Sequence, residues 1–325
     1  MKIYYRKTYL LLGILLFFVA SCFVVQKYRH HRQQSKQQVP VGFRADVMLG
    51  MTPIKDQGKS ELCWVYAMLA TIETNHLMQG DSVNLSADYI GRMYLEEQAI
   101  ERFRSKGAKQ MSMRGMGPMT IDLLMKYGAM PFDSYHPRKA VNYKAVLKKV
   151  EKAVDEALSS AQDEARCLRD VQELLDKEIG ALPRAVFMLG AKYTFLEFAH
   201  SVCMSDEYHS VTSLADYPYG ETIRLPFADN QYDCEAMNAN PDDLISLMEK
   251  ALENKQAVLW EGGPNDNHAV SIIGMGKDKD GKEYFVAKNS WGKDNPTKGL
   301  LYIEKDYVRK HTAVIIAPTP RESEE

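Results

Sequence analysis

"HAVSIIGMGKDKDGKEYFVAKNSW", residues 268–291, reads as two strands and a tight return. Both halves are rich in β-branched or aromatic residues, and Asp280-Gly281 between them is a hairpin signal. Partners in an antiparallel hairpin are equidistant from its centre. Strands folded about this turn therefore bring Asn289 back beside His268. A side-chain amide next to an imidazole fixes its orientation and tautomer, and leaves the second ring nitrogen to face another group. The hairpin thus offers a base, and the group it serves has to come from elsewhere in the chain.

"QGKSELCW", residues 57–64, supplies a candidate. Cys63 stands where a loop ends and an apolar helix begins. Unpaired backbone N–H groups and the positive end of the helix dipole favour a thiolate there. Read alone, Cys63 is equally a small buried hydrophobe. The other histidines give no comparable setting: His30 and His31 lie in a polar stretch, His76 is on the apolar helix, and His136, His200 and His311 are isolated. His209 reads as structural. Cys63, His268 and Asn289 together have the form of nucleophile, base and orienter. Gln57 adds a side-chain amide that can donate to an oxyanion, a contact worth about 3–4 kcal/mol in the transition state.

Further out, residues 64–78 read as a buried helix, and "NLSADYIGRMYLEEQ" as a second helix capped by Asn84 or Ser86. "MTIDLLMKYGAMP" reads as a third, ending at Gly128. From about 137 to 204 the apolar residues recur at helical spacing between mixed charges, which predicts an amphipathic helical insert. "AVLWEG" and "LLYIEKDYV" add strands around the hairpin. Helices first and strands last predict two lobes of an α+β protein.

At these residues the chain resembles the papain-like cysteine peptidases. "KDQGKSELCW", "NHAVSIIGMG" and "YFVAKNSWG" match that family's three motifs in order and spacing. The resemblance implies a two-lobed fold, a helical lobe and an antiparallel β lobe, over residues 41–319. It implies Cys63 as nucleophile, His268 as base and acid, Asn289 as orienter and Gln57 as oxyanion donor. Trp291 would shield the Asn–His contact at the substrate cleft. "RGMGPMTIDLLMKYGAMP" resembles the family's Gly-Gly segment, which puts Gly115 where backbone pairs with substrate and Arg114 in place of the first glycine. "YTFLEFAHSV", "SLADYPYGETIRLPFADN" and the helical insert are similar to the bleomycin hydrolase and bacterial aminopeptidase C branch. That branch is usually intracellular and hexameric, with a C-terminal arm in the cleft. This sequence ends "AVIIAPTPRESEE", without the usual extension and with an acidic tail at 320–325.

Two positions depart from papain. Ser60 replaces a disulfide cysteine. Glu61 replaces a glycine near the scissile bond; it reads either as a solvent-pointing loop carboxylate or as a carboxylate on the cleft rim that would favour a basic side chain or free amine in the substrate. Rival readings are a non-catalytic, membrane-held peptide-binding relative and another thiol acyl-transferase or amidase. The intact Cys, His, Asn and Gln and the "NSWG" and "YG" segments favour the peptidase.

The N-terminus carries a different message. Residues 8–25, "TYLLLGILLFFVASCFVV", are apolar and follow a basic "MKIYYRK". At about 1.5 Å per residue this run barely spans a hydrocarbon core of about 30 Å. It reads either as a lipoprotein signal with Cys22 as the lipidated residue, or as a single transmembrane anchor. A polar basic tether follows at 26–40. Either way the peptidase is expected outside the cytoplasm, on a membrane, and bacterial. A net charge of −2 gives no reason to expect nucleic acid as a partner. The partner expected is a peptide or protein substrate. The five cysteines form no CxxC pair, so a zinc site is not expected. Nor is any cofactor. The spacing leaves a Cys203–Cys234 disulfide open.

Overall fold

The computed structural model describes residues 38–137, 139–188, 190–263 and 268–320. The apolar run, Cys22, most of the tether and residues 321–325 lie outside the described residues. Among those described, no helix is long and apolar enough to cross a membrane.

Strand β1 (Arg44–Met48) comes first, then α1 (Cys63–Met78), α2 (Ala87–Arg104) and α3 (Gly117–Tyr127). The region near 137–204 holds α4 (Tyr143–Ser159), α5 (Glu164–Glu178), the short strands β2 (Val186–Met188) and β3 (Ala191–Tyr193), and α6 (Phe195–Val202). The sheet strands follow as β4 (Tyr208–Thr212), β5 (Thr222–Arg224), β6 (Glu235–Asn238), β7 (Val258–Gly262), β8 (Ala269–Lys277), β9 (Glu283–Lys288), β10 (Leu300–Glu304) and β11 (Thr312–Pro318). Helices α7 (Pro241–Glu253) and α8 (Lys305–His311) are interleaved with them.

The main sheet runs β10-β9-β8-β7-β11-β4-β6-β5, with β1 pairing β8. Its pairs are antiparallel except β4 with β6. Successive strand residues point to opposite faces, and the two faces meet different cores. Leu259, Val314 and Ile316 pack with α1 and α3, while Val258, Trp260, Ile315 and Ala317 pack with α7 and α8. This is an α+β fold in which the sheet carries a helical lobe on one side. The opening strand β1 belongs to the sheet, although the sequence pattern assigned strands to the C-terminal part.

Ser86 caps α2 by accepting from Tyr89 N–H, which settles the choice between Asn84 and Ser86. The insert packs on α2 through Val146, Val150 and Val154 of α4 and Cys167, Val171 and Leu175 of α5, all buried. Each such side chain contributes roughly 1.5–3 kcal/mol by leaving water. Arg92 of α2, 2% exposed, fastens this packing by reaching Glu96 at 2.9 Å, Asp176 at 2.7 Å and the Gly180 carbonyl at 2.7 Å. The β2–β3 hairpin was not expected within a helical insert.

Behind α1 the seam between helix and sheet holds a buried ionic cluster. Glu73 is fully buried and pairs with Lys55, with Lys288 at 3.6 Å, and with the Thr52 hydroxyl at 2.5 Å. The Leu85 amide donates to it at 2.8 Å. Each oxygen of this carboxylate is satisfied.

Cys63, Cys167, Cys203 and Cys234 are free thiols. The Cys203–Cys234 disulfide is not formed. Cys203 is buried beside the Met204 carbonyl, whereas Cys234 bonds Asp122.

Candidate active site

Cys63 is the first residue of α1, and Leu62 caps it from the preceding loop. Leu62 is fully buried, and a Cβ at Gly91 of α2 would lie 2.8 Å from its side chain. The missing side chain at 91 lets α2 press on the start of α1 and fix it. About two turns later the Thr71 and Ser271 hydroxyls meet at 2.9 Å, which pins α1 across β8.

This docking sets the Cys63 sulfur within hydrogen-bonding reach of the Ala269 and Trp64 amides. Ala269 opens β8 and directly follows His268. The His268 Nε2 lies 2.8 Å from Asn289 Oδ1. The Ser290 amide donates to that same oxygen at 2.9 Å. An atom that accepts from a backbone N–H is an acceptor, so Nε2 carries the imidazole proton and Nδ1 is the basic nitrogen. The hairpin achieves this with an irregular register. Ser271 pairs with Lys288, and the register shifts between Ile272 and Gly274. The simple mirror count is therefore two positions off, while the side chains still meet.

Trp291 lies on the His268 ring, centroids 4.5 Å apart and 23° between planes. Gln57 is fastened to the same turn. Its N–H donates to the Ser290 carbonyl at 2.8 Å, and its Oε1 accepts from the Ser290 hydroxyl at 2.6 Å. Its Nε2 donates one hydrogen to the Ser60 carbonyl at 2.8 Å. An amide NH2 has two hydrogens, so the second remains to serve an oxyanion.

Gly115 sits against α1. A Cβ there would lie 2.8 Å from the Trp64 ring, whose Nε1 donates to the Met113 carbonyl at 3.1 Å. Arg114 forks onto Asp229, with Nε 3.0 Å from both carboxylate oxygens and Nη2 2.6 Å from one. Glu61 is exposed and acts electrostatically on Arg114. Thus Cys63, His268, Asn289, Gln57 and Trp291 are brought together, Gly115 borders them through Trp64, and Glu61 stays on the outer edge.

The sequence reading did not include Glu261. It faces the helical lobe by the strand parity that buries Leu259, two residues earlier. Gly117, the first residue of α3, donates its N–H to Glu261 Oε2 at 2.9 Å. Glu261 also faces Arg114, Asp229 and Cys63 electrostatically. Burial pushes its carboxyl up to about 8, with Asp229 adding to the rise and the Gly117 amide and Arg114 opposing it. A glutamate alone in an apolar strand was the available signal. Asp229 was not foreseen either, since it lies far from Arg114 in sequence.

The thiol differs from expectation. Burial first, and then Glu261, push Cys63 up to about 11, against the pull of the Ala269 and Trp64 amides and of Arg114. Desolvation outweighs the helix start. Deprotonation at neutral pH therefore needs a base, the role that geometry offers to His268. Among the described residues there is no group of three or more His, Cys, Asp or Glu able to hold a metal ion.

Residues 245–317, which include His268 and Asn289, match the family model described as papain family cysteine protease. The senescence-specific cysteine protease SAG39 of Oryza sativa subsp. indica is 22% identical over 300 residues, 88% of this chain and 68% of the relative. Cysteine proteinase EP-B 1 of Hordeum vulgare is 41% identical over 44 residues, 14% of this chain and 12% of the relative. Among solved structures, PepW from Lactobacillus rhamnosis shares the fold with a TM-score of 0.67 at 15% identity, covering 91% of this chain and 88% of that one.

Proposed function

We propose that the chain is a papain-like cysteine peptidase in which Cys63 is the nucleophile, His268 the general base and acid, Asn289 the orienter of His268, and Gln57 the oxyanion donor. The observation that carries this is the 2.8 Å contact between His268 Nε2 and Asn289 Oδ1, with the Cys63 sulfur against the neighbouring Ala269 amide.

The Cys63 proton passes to His268 Nδ1 as sulfur attacks the scissile carbonyl. The carbonyl oxygen becomes an oxyanion, and the second Nε2 hydrogen of Gln57 donates to it. The imidazolium then protonates the departing amine, the C–N bond breaks, and an acyl-thioester remains. Water gives a proton to Nδ1 and attacks the thioester, which releases the acid and restores the thiol. Trp291 keeps water from the His268–Asn289 bond. Gly115 offers backbone to the extended peptide, and exposed Glu61 adds a weak, screened attraction for basic residues at the rim. The helical insert supports placement near the bleomycin hydrolase branch.

A thiol-directed epoxide probe tests the assignment. It should label wild-type protein at Cys63, and Cys63→Ala should lose both labelling and peptide hydrolysis. Hydrolysis persisting in that variant refutes the nucleophile. Mapping the new termini of a digested protein shows which bond is cut and whether a free substrate N-terminus is required.

We further place the peptidase on a membrane outside the cytoplasm, on the strength of the apolar run at 8–25. Incorporation of labelled palmitate that Cys22→Ala abolishes would mark a lipoprotein. Membrane retention without it would mark a transmembrane anchor, and release of the full chain in soluble form would overturn both.

A further inference from the structure

We propose that Glu261 reads a positive charge on the peptide substrate: its carboxylate, in the cleft wall beside Cys63, takes a substrate cation as the ion-pair partner that the fold itself withholds. This deepens the peptidase reading and rests on Cys63 marking the cleft.

Three observations carry the inference. The first is placement. Strand parity turns Glu261 toward the helical lobe, and Gly117 presses on Leu259 and Ile316, where an added Cβ would come within 2.9 and 3.0 Å. That close approach delivers the Gly117 N–H to one carboxylate oxygen at 2.9 Å and fixes the side chain at the start of α3, within electrostatic range of Cys63.

The second is the missing counter-ion. Arg114 is the cation facing Glu261, but its guanidinium is forked onto Asp229 at 2.6–3.0 Å. A fork–fork pair of this kind uses the guanidinium's best donors. No ion pair to Glu261 forms among the described residues. A half-buried carboxylate with one amide donor and no cation is costly. A substrate guanidinium or ammonium would remove that cost.

The third is the link to chemistry. Once ionised, Glu261 is close enough to Cys63 to oppose its ionisation. A cation bound to Glu261 cancels that opposition. The right substrate would therefore both bind better and make the thiol easier to deprotonate.

The cation has two sources, an arginine or lysine side chain or the peptide's free α-amino group, and the test separates them. N-terminally blocked peptides containing arginine are compared with the same peptides containing neutral citrulline. A second pair compares free with acetylated N-termini. Binding is measured by calorimetry to Cys63→Ala protein, with and without Glu261→Gln, and turnover is measured in the Cys63 background. The charged member of one pair should bind roughly tenfold or more tightly, and Glu261→Gln should erase that ratio. A ratio confined to the arginine pair assigns the side chain, and one confined to the amine pair assigns the N-terminus. Equal binding within both pairs, or a ratio that survives Glu261→Gln, overturns the proposal. The binding arm does not need catalysis. A charge-dependent ratio without wild-type turnover would count against the peptidase reading while supporting this site. In addition, iodoacetamide should alkylate Cys63 at lower pH in Glu261→Gln than in wild type.

Discussion

Two glutamates face the seam between helices and sheet, and their surroundings are opposite. Behind α1, Glu73 is fully buried with Lys55, Lys288, Thr52 and the Leu85 amide around it. In front, Glu261 has the Gly117 amide, while the nearby Arg114 is committed to Asp229. Burying a charge is tolerated when the fold supplies its partners. The rear carboxylate is completed by the chain, and so it holds the lobes together. The front one is left incomplete near Cys63, where the proposed substrate cation would complete it. The rear cluster bears its own electrostatic strain, since burial holds the Lys288 ammonium down at about 8 despite the pull of Glu73.

The sharpest way to break this contrast is to empty the front. Cys63→Ala should reduce turnover by roughly 10⁶-fold while thermal unfolding stays within a few degrees of wild type. A variant that unfolds would show that the cleft also holds the fold. The rear should respond the other way. Glu73→Ala leaves the buried Lys288 and the half-buried Lys55 without their carboxylate and should cost about 3–5 kcal/mol in denaturant unfolding. A loss under 1 kcal/mol would mean that water enters the seam and that the two regions are alike.

Gln57→Ala comes next. It removes the oxyanion donor and should lower kcat by roughly 10²–10³-fold, with Cys63 still labelled by the epoxide probe. Unaltered kcat would assign the oxyanion to another donor.

The last test is a pH dependence of stability without substrate. Glu261 has an ordinary value of 4.5 and a folded value of about 8. Between these the folded chain keeps a proton that the unfolded chain has lost, so stability falls as pH rises. The contribution is fully present below 4.5 and gone above 8. In Glu261→Gln that part of the slope should vanish, as seen in the difference between the two melting profiles. Parallel profiles would place Glu261 in water rather than in a desolvated wall.

The placement of Cys63, His268, Asn289 and Gln57 was legible because each lies in a short local pattern: a helix start, a strand start, a hairpin return and a loop. The hairpin brought His268 to Asn289 despite the shift between Ile272 and Gly274, because paired side chains tolerate a slip that strict register counting does not. Arg114 with Asp229 was not legible, since their meeting depends on how a loop beyond β5 folds over the start of α3. Glu261 was half legible. Its polarity is visible in "AVLWEGG", but whether it points inward depends on Leu259 meeting Gly117. The thiol's raised value was out of reach for the same reason: it comes from burial and from Glu261 rather than from the helix start. The β2–β3 pair escaped notice because three-residue strands are too short to show a period.

The tie between Gln57 and Ser290 has a mechanical consequence. Two bonds join these residues, the Gly292 amide donates to the Lys55 carbonyl at 3.1 Å, and Asp56 bridges Trp291. The loop before α1 is thereby riveted to the far end of the hairpin. Gln57, Asn289, Trp291 and the imidazole they surround are fastened as one piece. The sulfur at the start of α1 therefore meets a ring and an amide that are positioned as a unit.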